Sequence, residues 1–209
     1  MKIAVVSSNG KVGKLVVAEA LSRGHEVTGF ARSANKSEAK QFVQKDIFDL
    51  TKEDLAGFDA VVDAFGTFAP DTLDLHTKSV MHLADLLSGS TTRLLVVGGA
   101  GSLYVNKEHT VQLLDTPEFP KVFYPLAKAQ TDELAALRKR NDVKWTFVSP
   151  AADFQAEAPR AGEYILAGEE FTLNDKGESV VSYADYAIAM VDEIEAGKHV
   201  QERISVVGR

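Results

Sequence analysis

The sequence predicts an α/β protein built on a doubly wound parallel sheet, with a small irregular elaboration toward the C-terminus. Three observations carry this. Short β-branched runs alternate with helix-period stretches, and that alternation implies parallel strands joined by right-handed crossovers. Two glycines, Gly10 and Gly13, stand directly after the first run, at the point where a helix should open. Between Phe154 and Ser182 the alternation breaks, in a stretch holding Pro159, Gly162, Gly168 and the turn-forming Asn174–Gly177. A hairpin turning at Asp175–Gly177 is expected there, placed to cover a site at the carboxyl end of the sheet.

The elements follow in order. Ile3–Val6 is a compact β-branched run, the pattern of a strand buried on both faces. A helix follows, with Val12, Leu15, Val16 and Ala20 facing inward, Glu19 interrupting that face, and Gly24 as its stop. Val27–Ala31 and Gln41–Lys45 read as the second and third strands. Thr51 is placed to cap a short helix through Leu55, with Glu53 and Asp54 near its positive end. Ala60–Ala64 is the fourth strand, Asp71–Leu87 a longer helix, and Leu94–Val97 a fifth strand running into Gly98–Ser102. Pro125–Arg140 is expected as a helix, Lys144–Val148 as a sixth strand, Tyr183–Ala196 as a helix closed by Gly197, and Ile204–Val207 as the last strand.

Composition narrows the function. The 209 residues suit one domain spanning the chain, and 45% hydrophobic with 25% charged residues is an ordinary soluble balance. The net charge of −7 carries no basic cluster, so no nucleic-acid partner is expected. Without cysteine, disulfides, zinc–thiolate sites and thiol catalysis are excluded. The N-terminal apolar run is too short for a signal core or a membrane span, so a cytoplasmic protein without a membrane partner is expected. The histidines show no metal-ligand spacing, and no metal is expected.

The glycine turn suggests a nucleotide. A pyrophosphate must approach backbone N–H groups at a helix N-terminus, where a side chain would block it. Gly10 allows that approach and Gly13 lets the helix pack close to the strand. Ser7 stands where the fingerprint wants its first glycine, for a tight turn. The second strand ends in Arg32 rather than an acid, and Lys11 and Lys36 are near in sequence. Arginine pairs with a 2′-phosphate, whereas an acid would pair with the ribose diol, so NADP(H) is expected over NAD(H).

With those residues in hand, the chain resembles an atypical, Rossmann-like short-chain dehydrogenase/reductase. More narrowly it is similar to the NADH-flavin reductase-like group, whose relatives include NmrA-like proteins and biliverdin-IXβ/flavin reductases. The resemblance spans nearly the whole chain and rests on Asn9–Gly13, Lys45–Asp49, Leu94–Leu103, Leu113–Pro120, Trp145–Phe154 and Ser182–Glu195. It implies that Ser8, Asn9, Gly10, Lys11, Val12 and Gly13 cradle the pyrophosphate, and that Arg32 and Ser33 meet the 2′-phosphate. Asp46 and Ile47 would flank the adenine, and Ala64, Phe65 and Gly66 the adenosine ribose. Gly98 and Gly99 would lie under the nicotinamide half, and Pro150 and Ala151 near the carboxamide. Ser7 departs from the glycine usual in such relatives.

An acid–base centre is less clear. Ser102, Tyr124 and Lys128 have the residue types of the Ser–Tyr–Lys set that short-chain dehydrogenases use, in which lysine lowers the tyrosine pKa. Pro125 argues against it, because the residue before proline is pushed out of the α region, leaving Tyr124 outside the helix. Flavin reduction needs no strong protein acid, only two flat rings held in contact. Leu103, Phe123 and Phe154 are candidates for an apolar ledge, with flavin as substrate rather than prosthetic group. Two other readings stand beside an NAD(P)H-dependent flavin reductase: an epimerase or carbonyl reductase using Tyr124 and Lys128, and an NmrA-like redox sensor without turnover. Asp192, Glu193 and Glu195 read as a solvated helix face, His109 as a surface or packing residue in the loop after the fifth strand, and Asp153 as either a substrate neighbour or a cap or loop hydrogen-bonding residue.

Overall fold

The computed structural model describes residues 1–209. In chain order its elements are β1 (Lys2–Val6), α1 (Lys11–Ser22), β2 (Glu26–Ala31), β3 (Gln41–Gln44), β4 (Ala60–Asp63), α2 (Leu75–Leu87), β5 (Arg93–Val97), α3 (Tyr124–Leu137), β6 (Lys144–Pro150), β7 (Asp153–Gln155), β8 (Tyr164–Ala167), β9 (Val180–Ser182), α4 (Tyr183–Ala196) and β10 (Glu202–Gly208). The main sheet has eight strands in the order β3-β2-β1-β4-β5-β6-β10-β8. All its pairs are parallel except β10 with β8 at the edge.

The β-branched runs become central strands because both faces are covered. Ile3 and Val5 of β1 point into a core shared with α1 and α4, while Ala4 and Val6 point into a second core under α2 and α3. The chain winds outward from β1 to β3 in one direction and from β4 to β6 and β10 in the other. That reversal opens a crevice at the carboxyl ends of β1 and β4, where open α/β sheets take ligands.

The fold is the expected α/β class, with local corrections. Thr51–Leu55 forms no helix: the Asp54 carboxylate accepts from Thr51 N at 2.7 Å and bends the chain into a turn. The helical turn here is instead a 3₁₀ segment at Ile47–Asp49, capped by Asp46. The expected Asp71–Leu87 helix divides into a 3₁₀ turn at Pro70–Thr72 and α2. Tyr124 lies inside α3 (φ −55°, ψ −45°), contrary to the expectation from Pro125. Pro125 sits in the first turn, where its missing N–H has no helical partner to lose. The Asp175–Gly177 turn is present, but it joins no hairpin. The strands on either side pair elsewhere, β8 with β10 and β9 with β7.

Two helical carboxylates are buried rather than solvated. Glu19 on α1 accepts from Arg23 and from Arg160. Glu193 on α4 accepts from Arg93 at 2.6 Å and from His199 Nδ1 at 2.6 Å. Burial alone would raise the Glu193 pKa, but the bonds from His199 and Arg93 outweigh it and hold the carboxyl below its ordinary range.

Candidate functional site

The turn between β1 and α1 is built from close backbone contacts. Ser7 sits in the left-handed region (φ 62°), and Gly10 N donates to Ser7 O at 2.9 Å. A Cβ on Gly13 would come 2.6 Å from Ser7 O and 3.0 Å from Ser8 Cα, so only glycine lets α1 start this near the turn. Ser8 is buried and its N donates to Phe30 O at 3.1 Å, tying the turn to β2. The left-handed backbone costs a residue with a Cβ about 1–2 kcal/mol, and glycine gives back about 0.5–1 kcal/mol of that in backbone entropy. Ser7→Gly is therefore expected to stabilise the protein by about 0.5–1 kcal/mol, measured by urea unfolding.

The start of α1 is open to an anion. No side chain caps it and no acid lies in its first turn, as in α2 and α3 but unlike α4, which Ser182 caps. The free N–H groups and the helix dipole there favour negative charge. Gly10 and Lys11 are exposed and Val12 half-buried at this opening. The residues present thus fit a dinucleotide's pyrophosphate.

Asn9 joins this turn to the loop after β2. Its Nδ2 donates to Ser33 Oγ at 3.0 Å and Ala34 O at 2.9 Å, and its Oδ1 accepts from Lys36 N at 2.7 Å. Arg32, Ser33 and Lys36 are exposed on that loop, and no carboxylate pairs with Arg32 or Lys36. Lys11 meets only Glu157, at 3.3 Å and largely in solvent. Asp46 uses its carboxylate on Phe48 N, and Ile47 is buried beside it.

The remaining candidates lie along the same carboxyl edge. Ala64 and Phe65 are half-buried and Gly66 exposed in the turn after β4. Gly98 and Gly99 press flat on their neighbours, since a Cβ would come 2.1 Å from the Phe147 ring and 2.1 Å from Gln130 Oε1. Pro150 ends β6 and Ala151 follows it, both buried. The structure thus gathers Ser8–Gly13, Arg32, Ser33, Ala64–Gly66, Gly98, Gly99, Pro150 and Ala151 at one edge of the sheet.

The candidate acid–base groups are engaged elsewhere. Ser102 is buried, and its Oγ accepts from Arg203 Nη1 at 3.1 Å, while Arg203 also binds Glu169 and lies 5.9 Å from the Tyr104 ring centre. Tyr124 and Lys128 are four residues apart on α3, but Lys128 Nζ is paired with Asp132. Of the apolar candidates, Leu103 is 2% exposed and Phe154 packs its ring on Tyr183 and Tyr186 at 4.0 and 4.9 Å, so both are packing residues. Phe123 is exposed, with Val122 and Tyr124 beside it at the start of α3 and Phe68 on the loop after β4. Phe68 and Val122 were not legible beforehand, because isolated apolar residues in turn-rich segments carry no periodicity. His109 stacks on Tyr104 with ring centres 4.7 Å apart.

A buried group was also missed. Asp63 ends β4, His76 lies on α2 and Glu133 on α3, all three nearly inaccessible. Burial pushes the Asp63 carboxyl up to about 6. Burial and then the neighbouring Asp63 charge push Glu133 well above the carboxylate range, and burial lowers His76.

Comparison with known proteins gives this edge a family. The model of a family described as NAD(P)H-binding matches residues 8–196, which takes in the glycine turn and every strand from β2 to β9. The chain belongs to the NAD(P)H-binding family. Within it, the chain is 46% identical to the uncharacterized protein YwnB of Bacillus subtilis, over 99% of this chain and 98% of that one. A Streptococcus pneumoniae structure provisionally named an NADH-flavin reductase is 58% identical, with a TM-score of 0.98 and 100% of both chains covered. A Bacteroides thetaiotaomicron structure provisionally named an epimerase is 34% identical, with a TM-score of 0.86, covering 99% of this chain and 96% of that one. Its place in the NAD(P)H-binding family accounts for the uncapped start of α1 and the glycines under it. No helix of the chain is long and apolar enough to cross a membrane.

Proposed function

We propose that this member of the NAD(P)H-binding family is an NADP(H)-dependent reductase of flavin or a similar planar acceptor. The observation that carries the reading is the contrast at the carboxyl edge. The dinucleotide cradle is open, Phe68 on the loop after β4 and Val122, Phe123 and Tyr124 at the start of α3 are exposed, and Ser102 and Lys128 are held by Arg203 and Asp132. The similarity to the S. pneumoniae structure, provisionally named an NADH-flavin reductase, supports flavin as the acceptor.

When bound, the nicotinamide supplies a hydride. The chain's own part is to hold and to exclude. The N–H groups at the start of α1 bind the pyrophosphate, and Arg32 with Ser33 and Lys36 binds the 2′-phosphate. Gly98 and Gly99, packed flat on Phe147 and Gln130, put bare backbone at the end of β5, where the nicotinamide half would lie. Exposed Phe123 and Tyr124 at the start of α3 offer apolar surface to a planar acceptor, which enters and leaves as substrate.

A second reading keeps one supporting observation. Tyr124 and Lys128 share a face of α3, as carbonyl reduction or epimerisation would need, provided that Lys128 left Asp132.

Arg32 tests the nucleotide preference. A charge-assisted contact to phosphate is worth about 1.5–3 kcal/mol, so Arg32→Glu is expected to weaken NADPH binding by about 10- to 150-fold and NADH binding little. Fluorescence titration with both nucleotides measures it. A variant that still prefers NADPH contradicts the assignment.

A further inference from the structure

The turn from Asp63 to Thr67 is held from below by the buried cluster of Asp63, His76 and Glu133. Asp63 Oδ1 accepts from Phe65 N at 3.0 Å, His76 Nε2 bonds Thr67 O at 3.0 Å, and the Phe65 and His76 rings meet edge to face at 5.8 Å. The cluster therefore touches the turn at its start, middle and end. Three of its other polar atoms, Asp63 Oδ2, His76 Nδ1 and Glu133 Oε2, are buried with no hydrogen-bond partner in the protein. The His76 Nδ1 to Glu133 Oε2 distance is 3.9 Å.

Proton counting decides what these atoms are. Thr67 O can only accept, so the proton of a neutral His76 is on Nε2 and Nδ1 is a bare acceptor. If both carboxyls were ionised, all three orphaned atoms would be acceptors with no donor among them, an arrangement that buried polar groups avoid. A proton on Glu133 Oε2 aims a donor at Nδ1 of His76 and leaves only Asp63 Oδ2 without one, and Glu133 is its place, because Asp63 already takes a backbone N–H as an acceptor. We propose that Glu133 is a neutral acid that donates toward Nδ1 of His76, and that this proton holds the 63–67 turn in the shape that receives the nucleotide.

Glu133, His76 and Asp63 are positioning residues in this scheme, which rests on the nucleotide site described above. The titratable groups facing Glu133 are Asp63 from β4, His76 from α2 and, from α4, the phenol of Tyr186, with no lysine or arginine against it. Nothing there can offset a second negative charge. Loss of the proton sets two carboxylates against each other under the turn. The direction of the Glu133 shift agrees, since its proton is retained above the usual carboxylate range and lost only as pH rises.

Infrared difference spectroscopy of the protein without nucleotide tests the proton. A protonated-carboxyl C=O band that shifts in D2O is expected at neutral pH and should fade in the wild type as pH is raised. It should be missing in Glu133→Gln and kept in Asp63→Asn. No such band in the wild type, or one that persists in Glu133→Gln, overturns the assignment. Titration with NADPH tests the turn. Wild-type affinity is expected to fall with rising pH, by up to about tenfold per unit, while Glu133→Gln, which mimics the neutral acid, loses that dependence. Identical pH profiles overturn the turn's role. If neither protein binds NADPH at any pH, the nucleotide reading and the turn's role fall together, while the infrared band still decides the proton.

Discussion

Alanine at position 13 is expected to cost the protein most of its nucleotide affinity and part of its stability. The added Cβ would sit 2.6 Å from the Ser7 carbonyl oxygen and 3.0 Å from Ser8 Cα. Both are backbone atoms, so no side chain can rotate away. The turn itself has to move, yet Ser8 N is bonded to Phe30 O and Gly10 N to Ser7 O. Overpacking of this kind costs about 1–3 kcal/mol. The displaced atoms belong to the turn that presents the start of α1, so the loss should appear in binding as well. An NADPH affinity lowered about 10- to 100-fold, in a variant that still unfolds cooperatively, is the expected result. Fluorescence titration beside urea unfolding checks it. Unchanged affinity would remove the glycine turn from the site.

The second large effect lies at the opposite edge of the sheet. Arg93 opens β5, and its guanidinium donates to Glu193 Oε1 at 2.6 Å, Glu193 O at 2.6 Å, Thr146 Oγ1 at 2.7 Å and His199 O at 3.2 Å. Removing one partner of a buried ion pair leaves the other charge uncompensated, at about 3–5 kcal/mol. Arg93→Met should destabilise by that amount in urea unfolding. Arg93→Met with Glu193→Gln should lose less than the two single changes added together, because the stranded charge is gone. The pair also fixes a pH dependence. The folded-state pKa of Glu193 is held below its unfolded value, so its stabilisation is present above the unfolded value and lost as pH falls through the folded one. Melting curves in mild acid should show wild type and Arg93→Met converging as pH falls. A constant gap would contradict the role given to the pair.

Much of this architecture was legible in the sequence because it is written in local patterns. Ile3–Val6 and Leu94–Val97 are β-branched or aliphatic runs with the pattern of buried strands, and the glycine turn follows the first of them directly. What local pattern cannot show is a partner distant in sequence. Glu193 looks like part of a solvated face until Arg93, 100 positions away, is brought against it. Glu133 sits among alanines and polar residues on an exposed-looking helix, and only the packing of α2 against α3 buries it beside His76. Tyr124 shows the opposite failure: the rule for residues before proline is sound, but the first turn of a helix tolerates the exception. At the candidate site, the backbone-lined parts were readable from their glycines. Ser102, Leu103 and Phe154 were not, because residues of the right chemical type were taken up by packing and by Arg203.

The central claim is that this edge of the sheet holds a nicotinamide nucleotide against a planar acceptor without needing a protein acid. The most direct measurement is NADPH oxidation with excess FMN, and with a panel of carbonyl acceptors, by wild type and Tyr124→Phe. FMN-dependent turnover is expected in the wild type, retained within about threefold in Tyr124→Phe, since an exposed tyrosine contributes packing rather than proton transfer, which would be worth about 100-fold or more. Turnover of a carbonyl but not of FMN, abolished by Tyr124→Phe, would contradict it.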